Sequence, residues 1–450
     1  MTKDNNLLYK TLNGVKTRLY LDDRRRLSPI LLGIVGSFSV TIFMSYVGLH
    51  LANITDIVWL LTLTLALRNI YQLFLRVPLG HFSQMIGRKP LLLAGLGFYS
   101  LSLVFLAIAS HWSFVIVAVT SLAIGMSCFW PVIFAYISDV ESNESLGKVQ
   151  GKLFQGTDLG AILGALLAFA LLRRSIISNY TIRFSYLPNL IQYHTQLRLL
   201  FAWGAGISLI GGVALIFFMP EVLKKEDRLI VDSKLKALGD AFISMFKSLY
   251  IVTKQKKLSF IYLIQLAIAF LEYMVTAFFP LLVYAKFGSY DVVAQIAWIT
   301  SGVLIFFKPY LGRIIDRFGY RGPIFATLMI SSSMLILMRF VNSLPGLIVV
   351  YMIYSASSLT SYIGVNTGTT KESKKVQRGM ALGALGFYVS LSRSISTLSL
   401  TPVLDKLGIG WVFISTALII ISVVLIIYLV YYIVGYNNKK KDSVISQNSK

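Results

Sequence analysis

Apolar residues in this chain gather into long, nearly unbroken runs separated by short polar stretches. The pattern is neither the strict alternation of a half-buried strand nor the one-sided stripe of a water-facing helix. Twelve runs can be read, over residues 28–50, 56–79, 90–109, 112–136, 151–172, 199–219, 258–283, 290–311, 323–341, 345–366, 379–401 and 410–436. Each has the length of a spanning helix, about 20 residues or a little more, with the excess absorbed by tilt. Strands of a membrane barrel are about 10 residues long and alternate in polarity, so the runs predict helices.

Composition agrees. The 450 residues are 56% hydrophobic and only 14% charged, with a mean hydropathy of +0.73. A soluble chain carries about 25% charged residues, which excludes an ordinary soluble enzyme. The net charge of +23 (42 Lys and Arg against 19 Asp and Glu) first suggests a nucleic-acid partner. Sorting the basic residues by loop removes that reading. With the N-terminus inside, the cytoplasmic loops and tails hold 30 of the 42: 7 in the N-tail, then 2, 1, 9, 3 and 4, and 4 in the C-tail. The opposite loops hold 6, and 6 fall within spans. This bias predicts twelve transmembrane helices in an all-α protein, with both termini cytoplasmic and no nucleic acid bound.

The expected parts are an N-tail (1–27), a first six-helix bundle (28–220), a basic linker (221–257), a second bundle (258–436) and a C-tail (437–450). The N-tail, ending in Arg24, Arg25 and Arg26, reads as a cytoplasmic stop rather than a cleavable signal, because the apolar run behind it is too long. The linker, amphipathic over 235–250, reads either as a solvated segment lying on anionic lipid or as a regulatory element. The long external stretch 173–198 has no assigned role. Sequons at Asn53 and Asn179 fall outside and the one at Asn143 inside, so glycosylation is a weak expectation. One cysteine, Cys128, and four histidines offer neither a disulfide nor a zinc spacing, so no metal and no cofactor is expected.

A pattern repeats at an offset of 232 residues. Gly80, Gln84, Gly87 and Arg88 lie between helices 2 and 3; Gly312, Asp316, Arg317, Gly319 and Arg321 lie between helices 8 and 9. Gly156, Gly160 and Gly164 stripe helix 5, and Gly379, Gly383 and Gly386 open helix 11. Two parallel six-helix repeats are a transporter architecture, with the substrate path between the halves. The run from Gly312 to Arg321 resembles the cytoplasmic signature of the major facilitator superfamily. Its first-half copy is similar but has Gln84 and Met85 where Asp and Arg are expected. Pro220-Glu221 after helix 6, Ile137-Ser138-Asp139 after helix 4 and Arg378-Gly379 before helix 11 extend the resemblance over 28–436.

The resemblance implies that Asp316 reaches the start of helix 5, near Gly151, and holds the halves together when the cytoplasmic side is shut. Such an Asp meets the partial positive charge of a helix N-terminus, worth up to about 2 kcal/mol. Gln84 makes the corresponding uncharged contact with helix 11. The alternative is that the glycines merely cap turns. The helix 5 glycines also have two readings. Small residues every four positions allow close helix packing. The stretch also resembles the antiporter signature, which implies efflux, although Ala161 and Ala165 replace its Pro and Gly and Ser121 stands where helix 4 should carry Arg.

Discounting span ends, five ionisable residues lie within the spans: Arg68, Asp158, Glu272, Lys308 and Arg393. Each costs at least about 2.5–3.5 kcal/mol at mid-helix and is a functional candidate by default. By the family's helix pairing, Arg68, Arg393 and Glu272 group around the central cavity, while Asp158 and Lys308 pair across the halves near the cytoplasmic mouth. Glu272 is either a proton-coupling residue or half of a static pair with Arg. Arg68 and Arg393 either contact an anionic substrate or pair structurally, with Asn69 and Gln72 widening the polar face around Arg68. Trp130, Tyr136, Tyr46, Tyr273, Tyr354 and Tyr362 are aromatic candidates for the cavity wall.

No phosphate loop, metal cluster or nucleophile–base arrangement supports an enzyme. The expected function is a multi-pass secondary transporter of the cell membrane that moves a small organic solute by alternating access, with protons as a candidate coupling ion and efflux favoured. Uptake of an anionic metabolite or sugar is one alternative, and a non-transporting sensor is another. Expected partners are the small-molecule substrate, protons and membrane lipids, with the chain a monomer.

Overall fold

The computed structural model describes residues 23–55, 57–140, 146–173, 196–223, 253–373 and 378–448, with scattered positions between 226 and 251. Among them are thirteen helices and no strand: α1 (Arg24–Ile54), α2 (Val58–Ile86), α3 (Arg88–Ile108), α4 (Trp112–Val140), α5 (Leu146–Leu172), α6 (Gln196–Phe218), α7 (Lys256–Phe287), α8 (Tyr290–Phe318), α9 (Arg321–Phe340), α10 (Leu344–Glu372), α11 (Arg378–Ser399), α12 (Thr401–Leu407) and α13 (Ile409–Asn448). The sequons at Asn143 and Asn179, most of the N-tail, the stretch 174–195 and much of the linker lie outside the described residues.

Eleven of these helices are long and apolar enough to cross a membrane. The twelfth expected span forms as the helix α11, 22 residues long, but is not among the eleven. Arg393 and four serines, at 390, 392, 394 and 396, make it too polar. Its hydroxyls are met locally: Ser394 Oγ donates to Ser390 O at 2.9 Å, and Ser396 Oγ and Thr397 Oγ1 donate to Arg393 O at 2.9 and 3.0 Å. Back-bonding of this kind lets serine sit inside a helix without leaving a bare hydroxyl. Helix ends also run past the hydropathy limits. α1 starts at Arg24, where Asp23 caps it by accepting from Arg25 N at 2.9 Å.

The chain divides into two compact units, Met1–Ser248 with Thr276–Phe306, and Leu249–Val275 with Phe307–Lys450. In the first, α1 packs on α5 and α6, and α3 packs on α4 and α6, while α2 packs on α4. Glycine sets the closest of these approaches. A Cβ on Gly156 would stand 2.5 Å from Ile30 O, one on Gly164 2.9 Å from Phe38 O, and one on Gly160 would collide with Ile34 O. Three glycines at four-residue spacing thus face three carbonyls at the same spacing on α1, backbone against backbone. α3 and α4 cross in the same way where Gly95 meets Gly125.

In the second unit α9 packs on α10 and α13, and α10 meets α11. Large apolar side chains such as Ile210, Phe217, Ile426 and Leu429 remain on the outside. A lipid-facing surface has this composition.

Candidate functional site

Three polar constellations stand out against the apolar bulk. The first is the turn between α2 and α3. Gly87 has φ +108°, a conformation that favours glycine, and a Cβ there would also collide with Glu221 Oε2. The Glu221 carboxylate, just beyond α6, accepts from the backbone N–H groups of Arg88 and Lys89 at 3.1 Å each. It therefore caps the N-terminus of α3 from a distant part of the chain. The Arg88 side chain turns the other way: Nε donates to Asp139 Oδ2 at 2.9 Å and Nη1 to Ser83 Oγ at 2.5 Å. Gly80 lies against Pro131 of α4, and Gln84 is half-buried.

The second unit repeats this layout between α8 and α9. Gly319 has φ +74°. Glu372, at the end of α10, accepts from Tyr320 Oη at 2.6 Å, and it pairs with Arg321 Nη2 at 3.4 Å and Lys257 Nζ at 3.2 Å. Burial, helped by the hydrogen bond to Glu372, raises the Tyr320 phenol above its ordinary value. Arg317 is exposed, with its guanidinium over the Phe318 ring. The side chains of Gly312 and Asp316, and with them the expected Asp316 contact near Gly151, lie outside the described residues, as do those of Gly379 and Gly383.

The second constellation is a stripe on α2. Arg68 (4% exposed), Asn69 and Gln72 are buried in the span. Arg68 Nη2 donates to Asn69 Oδ1 at 3.2 Å and Nη1 donates to the Met44 thioether of α1. Gln72 Nε2 donates to Met126 Sδ of α4 at 3.1 Å, and Gln72 Oε1 accepts from Arg76 Nη2 at 3.0 Å. Tyr99 of α3 is also buried, its ring 5.6 Å from that of Phe129.

The third joins α7 to α11. Arg393 Nη2 donates to Glu272 Oε2 at 2.9 Å, and Glu272 keeps 36% of its side-chain surface open. Two further bonds hold the same helices together: Tyr262 Oη donates to Ala381 O at 3.1 Å, and Ser392 Oγ donates to Leu266 O at 2.6 Å. Tyr273 and Tyr354 are buried nearby in this unit.

Of the five ionisable span residues, the structure thus brings Glu272 and Arg393 together. Arg68 and Asp158 belong to the first unit and Lys308 to the second; Asp158 and Lys308 are both half-buried. Trp130 stands in an aromatic run, 5.6 Å from Phe129 and 6.1 Å from Phe134 between ring centroids. Sequence reasoning passed over Glu372, Lys257, Tyr320 and the two methionines. Glu372 carried a signal, because it lies 233 residues after Asp139, the separation that also divides Arg321 from Arg88.

A family-wide sequence profile, the Major Facilitator Superfamily, matches residues 30–397 and 261–448. No curated protein sequence matches. Among solved structures, a bacterial homologue of the human lysosomal transporter Spinster, inward-facing and unoccupied, superposes with a TM-score of 0.72 at 15% identity, covering 92% of this chain and 96% of that one. The human organic anion transporter MFSD10 (TETRAN) gives 0.61 at 16%, covering 90% and 99%. A transporter of the POT family in complex with a thioalcohol-conjugated peptide gives 0.68 at 13%, covering 90% and 95%. At such identities the likeness is one of fold. The profile spans nearly the whole chain, in which the α2–α3 and α8–α9 turns each lead into an arginine paired with a carboxylate. The chain belongs to the major facilitator superfamily and is a multi-pass membrane transporter, not an enzyme.

Proposed function

We propose that this protein is a secondary transporter that moves a small organic solute by alternating access and couples that movement to protons at Glu272. The observation that carries the reading is the Glu272–Arg393 pair. Glu272 is the seventeenth of the 32 residues of α7, the depth at which a charge is most costly. It nevertheless keeps over a third of its side chain open while one oxygen is held by Arg393. A carboxyl can carry a proton, and the open part of this one gives water a route to it while Arg393 holds the other side. In the proposed cycle it gives up that proton on one side of the membrane and regains it on the other.

The distribution of basic residues supports two six-helix halves with both termini in the cytoplasm of a cell-membrane protein. The Glu221-capped turn and the Glu372 cluster then lie on the cytoplasmic face. There Asp316 is the gate residue, and Asp158 and Lys308 are the span charges that lie toward the same face. The α5 glycines are needed for close packing on α1 whichever way the solute moves, and the protein works as a monomer.

The test is reconstitution in proteoliposomes loaded with a pH-sensitive dye, using solutes first found by thermal stabilisation. Solute movement should carry protons in the wild type. Glu272→Gln should still bind solute and lose the proton signal. An unchanged proton-to-solute ratio in Glu272→Gln removes the coupling role.

A further inference from the structure

The α2 stripe has a property that neither topology nor proton coupling requires: its hydrogen-bonding groups present donors. Asn69 Oδ1 is occupied by Arg68 Nη2, and Gln72 Oε1 is occupied by Arg76 Nη2. Both amides are thereby fixed with their NH2 groups turned away from these arginines. Asn69 Nδ2 has no hydrogen-bond partner among the described residues, although Asn69 is fully buried. Gln72 Nε2 rests on a thioether, as does Arg68 Nη1. The Tyr99 hydroxyl, 1% exposed, is likewise without a partner.

A thioether sulfur is a weak acceptor, and methionine is flexible enough to move aside. Charge-assisted bonds to an oxyanion are roughly twice as strong as neutral ones, and guanidinium matches carboxylate and phosphate in shape. Met44 and Met126 therefore cover donors that an oxyanion satisfies far better.

We propose that Arg68, Asn69 and Gln72 of α2 seat the anionic group of the transported solute, an organic carboxylate or phosphate whose apolar body lies against Met44, Met126 and neighbouring side chains. The proposal rests on the transporter reading and adds the substrate class. It needs no proton step.

The experiment is a thermal-stability titration of the full-length protein in detergent with matched pairs: benzoate and benzamide, octanoate and octanamide, phenyl phosphate and phenol, with inorganic phosphate alone. In each pair that shifts Tm, the anion should shift it and the neutral partner should not; the pairs separate carboxylate from phosphate. A panel in which no organic anion raises Tm, or in which neutral partners act equally, overturns the proposal.

Three variants then locate the site. Arg68→Lys and Asn69→Asp should weaken the active anion at least tenfold. Gln72→Met, which keeps the length of the side chain and removes the amide donor now resting on Met126, should bind three- to tenfold more weakly. Wild-type affinity in Gln72→Met, together with wild-type affinity in either of the other two, overturns the site. Anion binding should persist in Glu272→Gln, so failure here and failure of proton coupling are read separately.

Discussion

Arg88 Nε lies 2.9 Å from Asp139 Oδ2, 51 residues further along the chain, and Arg321 Nη2 lies 3.4 Å from Glu372 at the same separation of 51. Each pair follows a glycine of positive φ and ties the start of one helix (α3 or α9) to the end of the next (α4 or α10). The two pairs should differ in strength. Arg88 is 8% exposed and engages Ser83 as well, so Arg88→Met strands a partly buried Asp139 and should cost about 2 kcal/mol. Arg321 is 47% exposed and shares Glu372 with Lys257 and Tyr320, so Arg321→Met should cost less than about 1 kcal/mol. Thermal unfolding of the two variants in one detergent checks the order, and equal losses would contradict it.

Glu221 and Gly87 should couple. Glu221→Ala removes the acceptor for the Arg88 and Lys89 N–H groups, and loss of a cap of this kind costs about 1 kcal/mol, up to about 2. Gly87→Ala imposes a Cβ at φ +108° and drives it into the Glu221 carboxylate. In a Glu221→Ala background that collision is gone and the backbone strain remains. The double variant should therefore be more stable than the sum of the singles predicts, by about 0.5 kcal/mol or more. Strict additivity would mean that the turn relaxes without help from the missing carboxylate.

The glycines of α5 and α6 should respond with opposite signs. Gly160→Ala places a methyl against the backbone of Ile34 and must push α1 away from α5. A methyl added at Gly206 in α6 meets nothing within 4 Å, so Gly206→Ala should gain the helix preference of alanine, up to about 1 kcal/mol. A stability screen should show Gly160→Ala well below the wild type and Gly206→Ala at or above it.

Much of this was legible in the sequence, and the part that was not has a physical reason. Hydropathy finds helices because a span must be long and apolar, so eleven of the twelve expected runs appear as apolar helices. The same criterion passes over α11, where Arg393 and its serines are answered by α7 and by the helix itself. Glu272 and Arg393 could be named because charges are rare in spans; sequence alone grouped them with Arg68, and the direct bond between α7 and α11 is a matter of packing that spacing does not give. Glu372 was missed because a carboxylate at a helix end is ordinary in sequence; its three partners come from the starts of α7 and α9. Met44 and Met126 were missed because methionine in an apolar run signals nothing until a donor is found resting on its sulfur.

The proposed alternating access makes a last demand on α1. Its C-terminal half meets the far end of α7 and the start of α8 within one compact unit. A Cβ on Gly48 would stand 3.5 Å from Ala277 O, Tyr46 Oη donates to Tyr290 O at 3.3 Å, and Asn53 Nδ2 donates to Tyr290 Oη at 2.9 Å. Tyr290 stacks on Tyr284 with centroids 4.5 Å apart. If solute passes between the helices of the two halves, this seam must part once per cycle. Gly48→Cys with Ala277→Cys, in a Cys128→Ser background, places a thiol on each side of this backbone contact, where a short bis-methanethiosulfonate reagent can join them. Cross-linking should arrest transport in proteoliposomes, and dithiothreitol, which cleaves the mixed disulfides, should restore it. Cross-linked protein that carries solute at the reduced rate or faster would mean that the seam is fixed and that the path opens elsewhere.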